Sequence, residues 1–354
     1  MKKALIAMSG GVDSSVAAYL MQKSGYECIG VTMRLFSNED AGIPREKSCC
    51  SLDDVEDARQ VAYRLGMKYY VFNFTDGFKE KVISKFISDY ENGRTPNPCI
   101  DCNRYLKFEK LYLRAKELGC EKIVTGHYAN IEKEGGRYLL KKAADPKKDQ
   151  SYVLYSLTQD ELAHTAFPLG KMNKDETRKI AEENGFYNAQ KPDSQDICFV
   201  PDGDYAKFIR NYTGKDYPSG DFTDKDGKIL GKHKGIIGYT KGQRKGLGIS
   251  SDFPLYVCDI LPDENRIVLG HSEDLFTKEI SVRDVNFIAF ENPPETFRAK
   301  VKIRYRQPET PATVFVTGNT EVKIVFDEPQ RAATKGQAAV FYDGDTVLGG
   351  GVIC

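Results

Sequence analysis

Three short stretches carry the residues best able to do chemistry. The first is SGGVDSS, from Ser9 to Ser15. Its glycines at 10 and 11 allow backbone turns that a side chain would forbid. Amides at the start of a following helix would point outward, where the helix dipole favours anions. Ser9, Ser14 and Ser15 add hydroxyl donors, so the stretch reads as a phosphate cradle. It is not a Walker A loop, because no Gly-Lys-Ser/Thr follows. A bare Gly-Gly would be read as an ordinary strand-to-helix turn with Ser9 or Asp13 near the cap. The hydroxyls, and the apolar strand in front, favour the phosphate.

The second stretch is NPCIDCN, from Asn97 to Asn103, with Cys99 and Cys102 in C-x-x-C spacing. That spacing suits a zinc knuckle, an iron–sulfur ligand pair, a redox pair, or one catalytic thiol with a neighbour. Zinc needs two more ligands, no second C-x-x-C exists, and the adjacent Cys49 and Cys50 are poorly placed to share an ion. The third stretch is DSQDICFV, from Asp193 to Val200, centred on Cys198. A lone cysteine is often a small buried hydrophobe. The polar flanks DSQDI and PDGD instead suggest a mobile surface segment and a reactive thiol. Cys28, Cys120, Cys258 and Cys354 receive no role.

These residues need a frame. KALIAM reads as a buried strand, and Val16, Ala17, Leu20 and Met21 then fall at helical spacing. ECIGVTM, KYYVFNF and EKIVTGH read as further strands, alternating with helices over 52–65, 77–90 and 103–118. The alternation predicts an α/β unit with a parallel sheet, whose ligands bind at the strands' carboxyl ends. NIEKEGGRYLLKK predicts a hairpin turning at Gly-Gly. Residues 151–190 return to a helical pattern, with KDETRKIAEENG a helix ending at Gly185. After about residue 205, short alternating runs and turn residues predict two small β-barrel-like modules. The expected domains are 1–205, 206–274 and 275–354.

The chain has 354 residues, with 51 basic and 51 acidic side chains. Zero net charge disfavours a general nucleic-acid coat but leaves room for a local basic patch. The best such patch is KHKGIIGYTKGQRKG, Lys232 to Gly246, suited to phosphate contacts. Nine cysteines in so long a chain, without framework spacing, point to a reducing compartment. The N-terminal MKKALIAMSGG is too short in its apolar part for a secretion signal and reads as the first strand of a cytoplasmic domain. No apolar run is long enough to cross a membrane.

SGGVDS behind the first strand resembles the PP-loop ATP pyrophosphatase family (adenine nucleotide α-hydrolase-like). Its members activate a carbonyl or amide oxygen by adenylation and release pyrophosphate. TPNPCIDCNRYLKF, KDQSYVLY, DSQDICFV, TGHYA, GQRKGLGI, RYRQ and GQAAVFYDGD together resemble the tRNA-specific 2-thiouridylase family over essentially the whole chain. The resemblance implies an ATP-dependent tRNA sulfurtransferase acting on the wobble uridine. Uracil O2 is a poor leaving group until AMP is transferred to it. A persulfide then supplies sulfur, one thiol carrying it and a second resolving the S–S bond.

The resemblance also implies the site. Cys198 matches the persulfide carrier and Cys102 its partner, with a disulfide between them between turnovers. ATP would contact Ala7, Met8, Ser9, Gly10, Gly11, Val12, Asp13 and Ser14, with Met33 near the adenine and Gly126 against the nucleotide. Asp13 would help hold Mg²⁺, or serve only as a helix N-terminal acid. Asn97, Pro98 and Cys99 would surround the target base, extruded from the anticodon loop. His127, Lys148, Asp149, Gln150, Arg304, Tyr305 and Gln337 would be the other tRNA contacts. Read alone, AADPKKDQ is a solvated charged turn and KIRYRQ an exposed basic strand. The implied partners are the Lys, Glu and Gln tRNAs and a cysteine desulfurase or sulfur-relay protein.

One position departs from the family. Many members carry Asp where this chain has Cys99, and that Asp is held to handle protons. Asp101 lies close enough to substitute. The change also creates three cysteines, 99, 102 and 198, able to hold a [4Fe–4S] cluster as related thiolating enzymes do. Persulfide and cluster routes both remain open at this stage. Another PP-loop ligase, using ammonia, would need neither Cys102 nor Cys198. A binding or redox module without adenylation would release no pyrophosphate.

Overall fold

The computed structural model describes residues 2–36, 52–193 and 197–354. Cys49, Cys50 and the Ser194–Asp196 part of DSQDI lie outside the described residues. Along the first unit run β1 (Lys3–Ala7), α1 (Val12–Lys23), β2 (Glu27–Arg34), α2 (Leu52–Arg64) and β3 (Lys68–Asn73). There follow α3 (Thr75–Phe78), α4 (Ser84–Glu91), α5 (Pro98–Asp101), α6 (Leu111–Glu117) and β4 (Lys122–Val124). A hairpin of β5 (Asn130–Glu134) and β6 (Arg137–Lys141) precedes α7 (Gln159–Ala163), β7 (Thr165–Ala166) and α8 (Lys174–Glu183).

The parallel sheet has the order β3-β2-β1-β4-β7. β1 is central, so both its faces must be apolar. Ala4 and Ile6 pack under α1 and α2 with Val16, Ala17 and Ala58. Leu5 points the other way, onto Leu111, Tyr112 and Ala115 of α6. The chain reverses its winding between β2 and β4 on either side of β1. The carboxyl end of β1 is therefore the switch point where such sheets bind ligands.

The helices predicted over 77–90 and 103–118 are present, with a difference. Lys79–Ile83 and Cys102–Lys110 are π-helical, widened relative to the α-helical turns around them. Cys102 sits at the step from α5 into the wide segment, a feature frequent at functional sites. The stretch from 151 to 163 is less helical than its pattern suggests. Ser151–Leu154 is a single 3₁₀ turn, because Tyr152, Val153, Leu154 and Tyr155 are all buried and leave no polar face. α8 ends at Glu183, capped by Asn184, and Gly185 follows with φ +62°.

After α9 (Tyr205–Thr213) come β8 (Gly220–Thr223), β9 (Ile229–His233), β10 (Tyr256–Leu261) and β11 (Arg266–Gly270), in the order β10-β11-β8-β9. Their core is Phe222, Tyr239, Leu247, Val257, Ile267 and Leu269. The last unit holds β12 (Phe276–Phe287), β13 (Thr296–Lys302), β14 (Thr310–Gly318), β15 (Glu321–Arg331), β16 (Ala338–Asp343) and β17 (Thr346–Ile353). Their order β12-β15-β14-β13-β16-β17 closes through β12–β17 pairing into a barrel.

The predicted Gly135-Gly136 hairpin forms, both glycines taking positive φ as its tight turn requires. Its destination is not legible locally. β6 meets β17 through Lys141 and Thr346, so the first unit's hairpin extends the barrel's sheet. Leu140, Tyr152, Leu154 and Tyr155 share one core with Ile288, Val340, Tyr342 and Val347 of the barrel. Asn286 donates from its Nδ2 to the carbonyls of Tyr155 (2.8 Å) and Leu157 (2.9 Å) across this contact. The two units are thus joined by a core, not a linker. Leu140→Ala is expected to destabilise the chain by about 2–5 kcal/mol. Urea unfolding followed by tyrosine fluorescence should lose midpoint accordingly; an unchanged midpoint would contradict a shared core.

Candidate active site

The glycine loop lies at the switch point. Gly10 takes φ +75°, and a Cβ there would stand 2.4 Å from the Asp54 carbonyl oxygen. No side chain caps α1 at Gly11, which leaves its first amides for a ligand. Ser14 Oγ accepts from Ser9 N at 3.2 Å and donates to the Gly11 carbonyl at 3.0 Å. Ser9 Oγ lies 3.5 Å from Ser14 Oγ. Met8 is fixed from both sides, its N–H on Val31 (2.8 Å) and its carbonyl accepting from Thr32 Oγ1 (2.8 Å). Ala7 closes β1 opposite Val31, and Val12 begins α1, buried. Gly126 lies flush on the start of α1: a Cβ would meet the Asp13 carbonyl carbon and Ser14 N at 2.8 Å. Uncapped amides, paired hydroxyls and glycines that let the loop and the β4 end pack tightly around the start of α1 fit the phosphates of a nucleotide.

Asp13 is not offered to a metal. Lys174 Nζ lies 2.7 and 2.8 Å from its two oxygens, and the Tyr128 hydroxyl donates to it at 2.9 Å. Lys174 also pairs with Asp193 at 2.7 Å, and Asp193 with Lys148 at 2.7 Å. Burial would raise the Asp193 pKa, but the hydrogen bonds from Lys148 and Lys174 prevail and hold it low. Neither Lys174 nor Asp193 was singled out in sequence for this. Lys174 reads there as an ordinary first-turn residue of a capped helix.

Cys102 and Cys198 both border a second feature. Phe78, Phe86, Leu106, Phe199, Phe208 and Ile237 form an aromatic-rich cluster, and Met33, Cys102 and Cys198 all pack against it. Phe199 is buried between Phe78, Phe86 and Phe208, with ring centroids 5.6, 5.2 and 5.2 Å away. The polar flanks of Cys198 suggested a mobile surface segment. Instead Phe199 and Val200, each 1% exposed, pin the residue directly after the thiol. Cys102 is half-buried, and burial pushes its thiol pKa up, with Lys107 opposing and Asp101 adding to the rise. For comparison, burial drives Cys28, beside Cys120, to about 11.

Cys99 is exposed, whereas Cys102 and Cys198 lean into the aromatic cluster. Among the described residues no three Cys, His, Asp or Glu side chains form a ligating group. Asp101, the neighbour able to substitute for the family Asp, lies within the fold. It is buried and paired with Lys85 at 2.7 Å, and burial raises its pKa against the pull of that lysine.

The expected RNA contacts gather at the junction of the units. Asn97 Oδ1 accepts from Cys99 N at 3.2 Å and Pro98 takes the first helical position, so both cap α5. Gln337 Nε2 donates to the carbonyls of Thr95 (2.8 Å) and Pro96 (3.3 Å), just before them. Tyr305 donates from its hydroxyl to the Asp149 carbonyl at 3.2 Å, and its acidity feels Cys99 nearby. Gln150 and Tyr128 exchange hydrogen bonds of 2.9 and 3.0 Å. The 148–150 turn is thus a junction and not a solvated tip. Arg304 is tied down, donating to the carbonyls of Lys241 and Ala332 (3.1 Å each) and to Thr334 Oγ1 (2.6 Å). An open groove of about 470 Å³ on the central unit, lined by Arg244, Leu247, Ile249 and Phe253, takes in the end of the expected basic patch and none of the residues expected to meet ATP or the target base.

Three family models span the chain. They are described as a tRNA methyl transferase HUP domain (residues 2–202), a tRNA methyl transferase PRC-barrel domain (206–271) and an aminomethyltransferase beta-barrel domain (277–353). The tRNA-specific 2-thiouridylase MnmA of Clostridioides difficile (strain 630) is 54% identical over 354 residues, 99% of this chain and 98% of the relative. The chain belongs to the tRNA-specific 2-thiouridylase family. The MnmA of Clostridium acetobutylicum is 51% identical over 352 residues, covering 99% of each. A crystal structure of a 4-thiouridine synthetase–RNA complex with bound ATP is also similar, at a TM-score of 0.39 and 22% identity, over 56% of this chain and 45% of that one. At that distance the likeness adds nothing further.

One residue expected at the RNA site faces inward. The His127 ring is 8% exposed, lies between Phe108 and Phe167, and places Nδ1 2.7 Å from Thr125 Oγ1. Burial first, then Lys107, lowers its pKa well below 6.5. The folded chain thus keeps His127 neutral at pH values where the unfolded chain binds a proton. Its contribution to stability is full above about pH 6.5 and falls as pH drops toward the folded value. His127→Asn should flatten the acid limb of stability between pH 7 and 5. Urea midpoints of both proteins across that range test this; parallel curves would contradict it.

Proposed function

We propose that this chain is an ATP-dependent tRNA sulfurtransferase that adenylates and then 2-thiolates the wobble uridine. The observation that supports the reading is that Cys102 and Cys198, far apart in sequence, both pack against one aromatic-rich cluster, as does Met33. Methyl transfer, the activity named in two family descriptions, would need neither the thiols nor the phosphate cradle. In this reading residues 1–205 form the catalytic unit, and 206–274 and 275–354 grip the RNA.

ATP would lie with its phosphates on the first turn of α1, against Ser9 and Ser14, and its adenine toward Met33. Mg²⁺ would arrive on the triphosphate itself. Asn97, Pro98 and Cys99 would receive the extruded base. Lys148, Asp149, Gln150, Arg304, Tyr305 and Gln337 would guide the strand, and His127 would support it from behind. Uracil O2 attacks the α-phosphorus and pyrophosphate leaves. The terminal sulfur of a Cys198 persulfide then attacks C2, and AMP departs with the oxygen. Cys102 thiolate attacks the Cys198 sulfur, freeing the 2-thiouridine and leaving a Cys102–Cys198 disulfide for reduction. The persulfide route is preferred to a cluster because Cys99 stands exposed, apart from the aromatic packing of the other two. The substrates would be the Lys, Glu and Gln tRNAs. The sulfur would come from a cysteine desulfurase or relay protein in the reducing cytoplasm.

Cys102→Ser and Cys198→Ser are each expected to cut thiolation by roughly 10³-fold or more, while tRNA-dependent pyrophosphate release persists. Full thiolation by either variant would sink the reading, and a parent protein that releases pyrophosphate but forms no thiouridine would favour an ammonia-using ligase. No pyrophosphate release with unmodified tRNA would point to a binding module instead. The raised pKa of Cys102 sets a further sign. Its reactive thiolate grows only as pH climbs through and beyond the ordinary value of 9.0. Single-turnover thiolation should therefore keep rising with pH across that range, and pyrophosphate release should not share the rise.

A further inference from the structure

The ion pairs beside Asp13 reach further than ATP binding requires. Lys174 opens α8, where the helix dipole disfavours a cation. Asn173 and Glu176 already satisfy that helix end with a reciprocal cap. The Lys174 side chain is nonetheless 10% exposed, and a lysine so buried needs carboxylate partners. It has two, from different parts of the chain. Asp13 belongs to the phosphate loop and Asp193 to the segment that leads to Cys198. That segment touches the loop elsewhere too. Asn188 Nδ2 donates to the Gly10 carbonyl and to Ser15 Oγ at 3.0 Å each. Lys191 pairs with Asp54 at 2.6 Å, and Asp54 crowds Gly10.

We propose that Lys174 is a positioning residue that couples the phosphate loop to the sulfur-carrying thiol, by fixing Asp193 against Asp13 at the start of α1. The inference rests on the thiolation reading above. Asp193 stands five residues before Cys198 (193 to 198). So short a tether spans at most about 17 Å. Where Lys174 holds Asp193 therefore limits where the thiol can stand. Cys198 is anchored on one side by Phe199 in the aromatic cluster, and on the other its reach is bounded by the chain length from Asp193, which Lys174 holds. The first sets its distance from Cys102. The second limits its place relative to the nucleotide whose AMP the sulfur must displace. Lys148 shares Asp193, which brings the turn beside Tyr305 into the same chain of contacts.

A residue of this kind acts on sulfur transfer and not on adenylation. The test uses full-length Lys174→Met, Lys174→Arg and Asp193→Asn proteins with unmodified tRNA, ATP and a low-molecular-weight persulfide. Pyrophosphate release and 2-thiouridine are measured in the same reaction. Lys174→Met and Asp193→Asn should keep pyrophosphate release within about threefold of the parent while thiouridine formed per pyrophosphate falls tenfold or more. Lys174→Arg should recover most of that ratio. Equal loss of both products overturns the proposal and makes Lys174 a phosphate ligand or a folding contact. An unchanged ratio overturns it as well. Alkylation of Cys198, followed by mass spectrometry, gives a readout without turnover. The non-hydrolysable analogue AMPCPP should change its rate in the parent and not in Lys174→Met; the same response in both overturns the coupling. A parent protein that releases no pyrophosphate fails the function itself, an outcome separate from a changed ratio.

Discussion

The burial of Phe199 is the contact on which the two thiols depend. Enclosing such a ring contributes about 1.5–3 kcal/mol, and each aromatic neighbour about 0.5–1.5 kcal/mol more. Phe199 has three such neighbours, from α3, α4 and α9. The sum is a sizeable share of the stability of an ordinary domain. It is spent one residue from Cys198, on a segment otherwise rich in polar and turn residues. Without that anchor nothing local would direct the thiol toward Cys102, which belongs to a different helix and a different stretch of the sequence. The cluster also accepts Met33 from the end of β2. The same packing that both thiols border therefore reaches β2, the strand beside the one that leads into the phosphate loop.

The frame of the site was legible because its causes are local. A fully apolar β1, glycines at 10 and 11 and a Gly-Gly hairpin each state their structure within a few residues. The closed barrel was visible in outline for the same reason, as alternating runs with turn residues between them. The relations among these parts were not. The pairing of Lys141 with Thr346, the hold of Gln337 on the Thr95 carbonyl and the shared lysine at 174 all join residues far apart in sequence. No period or spacing encodes such partners. The flanks of Cys198 show the limit. DSQDI and PDGD suggested a mobile surface segment, yet the Phe-Val pair between them outweighs them in free energy. A reading weighted by buried area would have placed the thiol correctly.

Some residues marked for ligand contact are engaged within the protein. Asn97 and Pro98 cap a helix, Arg304 stitches two β units together, His127 is walled by phenylalanines, and Asp13 is paired with a lysine. Capping and contact are not rivals at a site of this kind. A base held between the residues of a loop needs that loop to be stiff, and a cap makes it stiff by using one side of each residue. Arg304 differs, since its Nη2 lies within hydrogen-bond distance of three acceptors that join the central unit and the barrel. Its service to a phosphate would loosen the contact between the central unit and the barrel.

The same logic assigns the barrel a second task. Thr95 N donates to the Lys335 carbonyl at 2.8 Å, and Thr95 Oγ1 reaches Thr240 of the central unit at 3.3 Å. Gly336, at φ +89°, lets the barrel's chain approach so closely that a Cβ would stand 3.1 Å from Thr95 backbone atoms. Both β units thus grip the residue two places before Asn97. Asn97 caps α5, and α5 runs one turn to Cys102 at the widened step. A shift of the barrel would pass through Thr95 to that cap and so to the thiol. The α/β unit supplies Cys102, but it does not fix the thiol's position alone. A barrel that only held RNA would need no glycine at 336 and no glutamine reaching back across the chain to the Thr95 carbonyl. Their presence ties the position of the barrel to the position of Asn97 and Cys102.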